Sequence, residues 1–157
     1  MGKTESILFG TSRKVKGACF EVVRGETVVK RVTSVKYLGV ILDQCLNFRD
    51  HATEILKKAN GKMRFLYRCA SSPRGRYRQL MCSALVGPSV EYCCSAWYPS
   101  VLEEFKGALG VLQRKMVRFV GEMGPREHVG EDDIWALGWM PFHKRVKKFL
   151  GRCTSLN

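Results

Sequence analysis

The chain has 157 residues, 45% of them hydrophobic, which is enough to bury the core of one domain, or of one small domain with an appendage. It carries 27 Lys and Arg against 14 Asp and Glu, and this formal net charge of +13 favours an anionic partner, first nucleic acid and second an anionic membrane surface. No apolar run approaches the ~20 residues of a membrane-spanning helix, so no transmembrane segment is predicted.

The cysteine pattern and the N-terminus bear on the compartment. The seven cysteines include no Cys-x-x-Cys motif, and no histidine lies at ligand spacing from a cysteine pair. This pattern predicts reduced core cysteines without a metal site, in an intracellular protein that is nuclear or cytoplasmic. The start Met1-Gly2, followed by Ser6, matches a loose N-myristoylation pattern, so a lipid on Gly2 is a minor alternative.

The first 46 residues are predicted to form a small antiparallel β-sheet. Short apolar stretches at 5–10, 18–23 and 27–32 alternate with turn residues in the manner of β-hairpins. The most apolar run, at 35–42, is rich in β-branched and aromatic residues and predicts one more strand, buried or half-buried. Gly39 interrupts this strand, which indicates a bulge or a close approach of another backbone or a ligand.

Residues 47–157 are predicted to form an α-helical bundle. After a helix start at Asn47 or Asp50, apolar residues recur every three or four positions as far as Ala70, which predicts an amphipathic helix. Further helices are predicted at 74–86, 99–119, 131–137 and 142–150. The predicted fold class is therefore α+β, a small antiparallel sheet followed by a helical bundle.

The cations are concentrated between residues 49 and 78, where nine Lys and Arg stand against two acids. Because the amphipathic helix has its own apolar face, these cations are predicted to project outward together. Such a surface favours contact with a phosphate backbone, which gives affinity without choice of sequence. The predicted nucleic-acid-binding residues are Lys57, Lys58, Lys62, Arg64, Arg68, Arg74, Arg76 and Arg78.

Two patterns could carry catalysis, and for both the structural interpretation is favoured. The pair Asp132-Asp133 could hold metal ions for phosphoryl transfer, but it precedes a helical pattern and is predicted to be charge at a helix N-terminus. A thiol nucleophile and its base could be drawn from Cys82 or Cys93 with His51 or His143. No nucleophile elbow and no glycine-rich phosphate loop accompanies them.

An aromatic cluster follows the second predicted helix. Aromatic rings can stack on nucleic-acid bases, but rings within an apolar stretch are more often part of a core. The core interpretation is therefore favoured for Tyr92, Trp97 and Tyr98.

Six segments, in order along the chain, resemble parts of the reverse transcriptases of LINE-type (non-LTR) retrotransposons. Residues 3–10 resemble the Lys-Thr-Glu strand that follows the catalytic hairpin of those enzymes, and residues 35–43 resemble their primer-grip strand. In those enzymes the next element is a thumb helix with a histidine near its start and lysines after it, and His51 and Lys57-Lys58 resemble these residues. Residues 85–92, 112–118 and 137–145 resemble a thumb helix ending in Glu-Tyr, a Leu-Gln…Arg helix and a Leu-x-Trp-Leu-Pro…Arg segment.

The resemblance implies that residues 1–46 are the end of a polymerase palm and that residues 47–157 are a basic helical thumb or connection region. The parent enzyme would be an RNA-directed DNA polymerase with Mg²⁺ held by palm aspartates. Tyr37, Leu38 and Gly39 would be the primer grip, and Lys3 would lie near the triphosphate.

The fingers, the catalytic aspartates and the endonuclease of the parent polyprotein are expected outside this chain. Those regions would be partners of the chain. The chain would then hold no catalytic residue, metal or cofactor of its own and would be inactive in isolation. Its predicted work is to position primer and template through the backbone of RNA or an RNA–DNA duplex. The alternative is a basic helical adaptor or RNA-binding module reused by the host, with membrane association through Gly2 as one form.

Overall fold

A computed structural model describes residues 4–11, 13, 21–69 and 75–154, with side chains as far as residue 151. The predicted α+β class is confirmed. The chain divides into two compact units, Met1–His51 and Ala52–Asn157. The division falls a few residues after the predicted boundary at 46, because the first turn of the first long helix belongs to the strand-containing unit.

The described strands of the first unit form two small sheets. One contains β1 (Glu5–Ser6), β3 (Thr27–Arg31) and β2 (Val22–Arg24) in that order, and β3 pairs antiparallel with β2 but parallel with β1. The other consists of β4 (Ser34–Tyr37) and β5 (Val40–Asp43), which are antiparallel. The strands are thus divided between two sheets and do not form the single one expected.

The run at 35–42 is a hairpin, so the prediction of one continuous strand is wrong. Tyr37 pairs with Val40, and Leu38 and Gly39 form the two-residue turn between β4 and β5. Both turn residues have positive φ, 45° for Leu38 and 85° for Gly39, as tight hairpins with primed turns require. The glycine therefore marks a turn and not a bulge.

The helices follow in a series of long and short elements. They are α1 (Arg49–Arg68), α2 (Arg76–Leu85), α3 (Gly87–Glu91), α4 (Cys94–Trp97), a 3₁₀ turn (Tyr98–Ser100), α5 (Glu103–Gly121), α6 (Glu131–Ala136) and α7 (Phe142–Thr154). Among the described residues, no helix is both long and apolar enough to cross a membrane. The largest fully buried side chains among the described residues all lie in the second unit and are Leu66, Cys82, Val86, Trp97, Leu109 and Leu112.

Asp43 organises the passage from β5 into α1. Its Oδ1 accepts the backbone N–H groups of Cys45 (2.9 Å) and Asn47 (3.3 Å), and its Oδ2 accepts that of Phe48 (2.8 Å). Leu46 and Phe48 have φ of 52° and 53°, a left-handed conformation that costs about 1 kcal/mol or more per residue. The three hydrogen bonds to one carboxylate offset that strain.

Buried Gln113 fixes the start of α7 against α5. Its side chain is 3% exposed; Nε2 donates to the Met140 carbonyl (2.9 Å) and Oε1 accepts the Phe142 N–H (3.0 Å). An ion pair between Arg145 and Glu91 joins α7 to α3 next to this junction. Three of the segments that carry the family resemblance therefore meet in one packed cluster.

The aromatic cluster after α3 is partly core. Trp97 is fully buried and its indole N–H donates to the Tyr92 carbonyl at 3.0 Å, whereas the Tyr92 side chain is 54% exposed. Tyr98 meets Trp97 edge to face, with ring centroids 5.9 Å apart. The core interpretation therefore holds for Trp97 and fails for Tyr92.

Replacing Asp43 with alanine should destabilise the first unit by about 2 kcal/mol, because three backbone N–H groups lose a charged acceptor. Hydrogen exchange at Cys45, Asn47 and Phe48 should accelerate together. Asp43→Asn, which keeps one acceptor oxygen, should lose an intermediate amount of stability. Glu26→Ala, in an exposed turn, should change the stability little. Unchanged protection at the three amides in Asp43→Ala would contradict the bridging role.

Replacing Gln113 with leucine should cost about 1–3 kcal/mol, since the Phe142 N–H would stay buried without a partner and the Met140 carbonyl would keep only its 3.3 Å hydrogen bond from Arg145. The measurement is chemical denaturation followed by helical circular dichroism. Lys148→Leu, on an exposed position of α7, serves as the control and should stay within about 0.5 kcal/mol of the native chain. Equal stability of the two variants would show that the amide does not hold the α5–α7 junction.

Candidate nucleic-acid interface

Helix α1 has one buried face, as its periodicity predicted. Its buried residues recur every three or four positions and are Ala52, Ile55, Ala59, Met63 and Leu66. Lys57, Arg64 and Arg68 are exposed. They lie within about 40° of one another around the helix and about 160° from the centre of the buried face. Burial of one face therefore points these three cations away from the protein.

Lys57, Arg64 and Arg68, here called the cationic stripe, form a line along α1. Their Cα atoms span eleven residues, which corresponds to about 16 Å. A nucleic-acid strand carries a phosphate every ~3.4 Å of duplex axis, so the stripe is long enough to meet several phosphates. Within the described part of the chain, no carboxylate lies within 4.0 Å of these three side chains. Their charge is therefore available to an external anion.

Lys115 of α5 adds a fourth cation beside the stripe. Its Nζ donates to the side-chain oxygen of Asn60 at 3.1 Å, and Asn60 lies three residues after Lys57 and four before Arg64 on α1. The Tyr67 hydroxyl donates to the Lys115 carbonyl at 3.2 Å. Burial raises the pKa of Tyr67, which keeps that hydroxyl protonated. Sequence reasoning missed Lys115, because only the packing of α5 on α1 brings it here.

Two lysines predicted for this surface make bonds within the protein. Lys58 pairs with Glu54 one turn earlier while remaining 57% exposed. Lys62 donates to the Leu85 carbonyl (2.8 Å) and to the Ser89 hydroxyl, and so joins α1 to the end of α2 and the start of α3. Lys62 is exposed, but its ammonium group points towards α2 and α3, so the expectation that all the cations project together is wrong for this residue.

Arg78 is also turned inward. Its side chain is 12% exposed, donates to the Phe119 carbonyl at 3.2 Å and pairs with Glu122 at 3.3 Å. The guanidinium lies 5.2 Å from the centre of the Phe119 ring. Arg78 therefore joins α2 to the end of α5 and does not project outward with the other cations, and its role in binding stays a prediction. Arg76 is exposed on α2, whereas Arg74 falls outside the described residues.

The residues predicted as a primer grip lie at the tip of the β4–β5 hairpin. Tyr37 and Leu38 are 64% and 73% exposed, and Gly39 is also exposed. The tip therefore presents its backbone and two large side chains to solvent. Lys3, predicted near the triphosphate, and Gly2 both fall outside the described residues.

The carboxylate pair Asp132-Asp133 belongs to the first turn of α6, as predicted. Asp133 Oδ2 accepts the Gly130 N–H at 2.8 Å, which caps the helix start. In the ranges that the structure describes, no three His, Cys, Asp or Glu side chains gather in a way that could hold a metal ion. His51 is 4% exposed, and its Nδ1 accepts the Ile41 N–H at 3.3 Å, a structural bond within the first unit.

The cysteines are less uniformly buried than expected. Cys82 is fully buried and Cys94 is nearly so, but Cys45 and Cys93 are exposed, and all are free thiols. Burial raises the pKa of Cys82 to about 12. A thiol with this pKa is protonated at neutral pH, which suits a core residue and not a nucleophile.

Alkylation at pH 8 should separate these thiols. With a pKa of about 12, roughly one Cys82 molecule in ten thousand is a thiolate at that pH, and the residue is also covered. Cys45 and Cys93 should therefore be labelled first, and Cys82 only as the protein unfolds. Mass spectrometry of timed iodoacetamide reactions, with and without denaturant, checks this order. Early labelling of Cys82 in native protein would contradict its assignment to the core.

The second unit thus combines a buried helical core with the cationic stripe and Lys115 on its surface. This arrangement can attract and orient a polyanion through its backbone charge. The chain matches no family model, no curated protein and no solved structure.

Proposed function

We propose that this chain binds the phosphate backbone of RNA or of an RNA–DNA duplex, as the end-of-palm and thumb portion of a LINE-type reverse transcriptase. The observation that carries the proposal is the cationic stripe of Lys57, Arg64 and Arg68, which points away from the core and has Lys115 beside it. Backbone contact of this kind gives affinity and orientation and leaves the choice of sequence to base pairing.

The packing of the second unit supports the family assignment within this proposal. Glu91, Gln113 and Arg145 come from three of the resembling segments, and they meet around the Met140 turn. Residues that recur together in one family are expected to share such a junction, because each holds a neighbour in place. In this proposal these motifs maintain the thumb, and the stripe contacts the nucleic acid.

The hairpin tip supplies the second part of the proposed role. Gly39 has no side chain and is exposed beside Tyr37 and Leu38, so a nucleic-acid backbone could approach closely at this turn. In the proposal, these residues hold the primer end. Other regions of the parent polyprotein provide the Mg²⁺-dependent transfer, and Lys3 lies near the triphosphate. Such a protein would act in the nucleus or the cytoplasm.

Neutralising the stripe should reduce the salt dependence of binding. In the variant Lys57→Gln, Arg64→Gln, Arg68→Gln, the slope of log affinity against log salt should fall by about 2–3 for a 20-base-pair RNA–DNA duplex, since each lost phosphate contact removes roughly 0.9. The measurement is a fluorescence anisotropy titration at four salt concentrations. Because all three side chains are exposed, thermal stability should be nearly unchanged.

A matched variant removes the same charge elsewhere. Arg126, Lys147 and Lys148 are exposed, and replacing all three with glutamine should change the slope by less than about 1. Equal losses in the two triple variants would show that net charge, not the stripe, drives binding. Tight binding to vesicles with anionic lipid, combined with a flat salt dependence for the duplex, would overturn the proposal in favour of the adaptor alternative.

A further inference from the structure

An exposed phenylalanine lies next to the cationic stripe. Phe65 is 50% exposed, although its neighbour Leu66 is fully buried. It follows Arg64 directly and precedes Arg68 by three residues. Single exposed hydrophobic residues are common on protein surfaces, so this ring alone indicates nothing.

The second observation is the open space at Gly61, one helical turn before Phe65. Apart from its chain neighbours and the backbone of its own helix, a Cβ built at Gly61 would meet no described heavy atom within 4 Å, so packing does not require a glycine there. Glycine also makes a helix less stable than alanine would. Side chains of a helix lean towards its N-terminus, and residues four apart share a face. Phe65 therefore borders an open notch at Gly61, where no described side chain comes within 4 Å of the Cβ position.

The stripe flanks this notch. Lys57 lies one turn before Gly61, and Arg64 lies three residues after it, so cations stand on the side of the notch away from Phe65. A flat aromatic group in the notch would contact the phenyl ring on one side. A phosphate attached to that group would reach the cations on the other side.

We propose that the notch formed by Gly61 and Phe65 receives one unpaired nucleobase of the bound strand, stacked on the Phe65 ring. Neighbouring phosphates lie on the cationic stripe. The inference rests on the proposed function and deepens it, because it predicts a preference for a nucleic acid with an unpaired base over a fully paired duplex. Stacking on an aromatic side chain tolerates every base, so no sequence preference follows.

The test compares two ligands of equal charge with the full-length chain. One is an RNA–DNA duplex with a three-nucleotide overhang, and the other has abasic sugars in place of the three overhanging bases. The native chain should bind the first about five- to a hundredfold more tightly, which is the range for one stacked base. Fluorescence anisotropy at one fixed salt concentration gives both dissociation constants.

Variants on the notch separate stacking from stability. Phe65→Leu keeps an apolar side chain but removes the aromatic face, and the preference for the base-containing overhang should fall towards one. Gly61→Ala should raise the melting temperature and yet lower the same preference, because its methyl group fills the notch. Tyr77→Leu, at an aromatic residue of α2 that is 63% exposed, should leave the preference intact.

Three results would overturn the inference. The first is equal dissociation constants of the native chain for the two ligands. The second is a preference for the base-containing overhang that survives both notch variants, and the third is a preference that only Tyr77→Leu removes. In each of these cases a normal effect of the stripe variant on the salt slope would leave the proposed function standing. Failure of the native chain to bind either ligand would overturn both proposals.

Discussion

Burial of one face of α1 is the constraint on which the candidate interface depends. The apolar residues from Ala52 to Leu66 can be sheltered together only if the helix is rotated in one way about its axis. That rotation leaves Lys57, Arg64 and Arg68 on the opposite side. The direction of the charges is thus a consequence of the hydrophobic effect and needs no attraction to a ligand to establish it.

The cations of the chain fall into two groups, those that bond within the protein and those that do not pair with an acid. Several cations bond within the protein: Arg78 with the end of α5, Arg145 with Glu91, and Lys144 with Glu131 at 2.6 Å. The hydrogen bond from Lys144, together with the positive charge of its ammonium group, lowers the pKa of the Glu131 carboxyl. The chain has 27 Lys and Arg but only 14 acidic residues, so not every cation can have its own acidic partner. The three residues of the cationic stripe are among the cations that form no ion pair within the described residues.

Sequence patterns predicted the elements better than their contacts. The spacing of apolar residues identified α1 and its buried face, and the acidic start of α6 was also foreseen. The hairpin at 35–42 was missed because Leu38 has no turn propensity and its left-handed conformation is imposed by pairing of the flanking strands. A periodicity cannot reveal that Arg78 meets a carbonyl 41 residues away. For the same reason, the position of Lys115 beside Asn60 could be found only from the packing of two helices.

The junction at Gln113 has a consequence for synthesis on the ribosome. The amide of Gln113 hydrogen-bonds to Met140 and Phe142, which are translated 27 and 29 residues later. Until those residues emerge, a nascent α5 holds an unpaired polar group on the side that is meant to be buried. The second unit must therefore complete its packing late, and chains released before residue 140 should become substrates for chaperones or proteases.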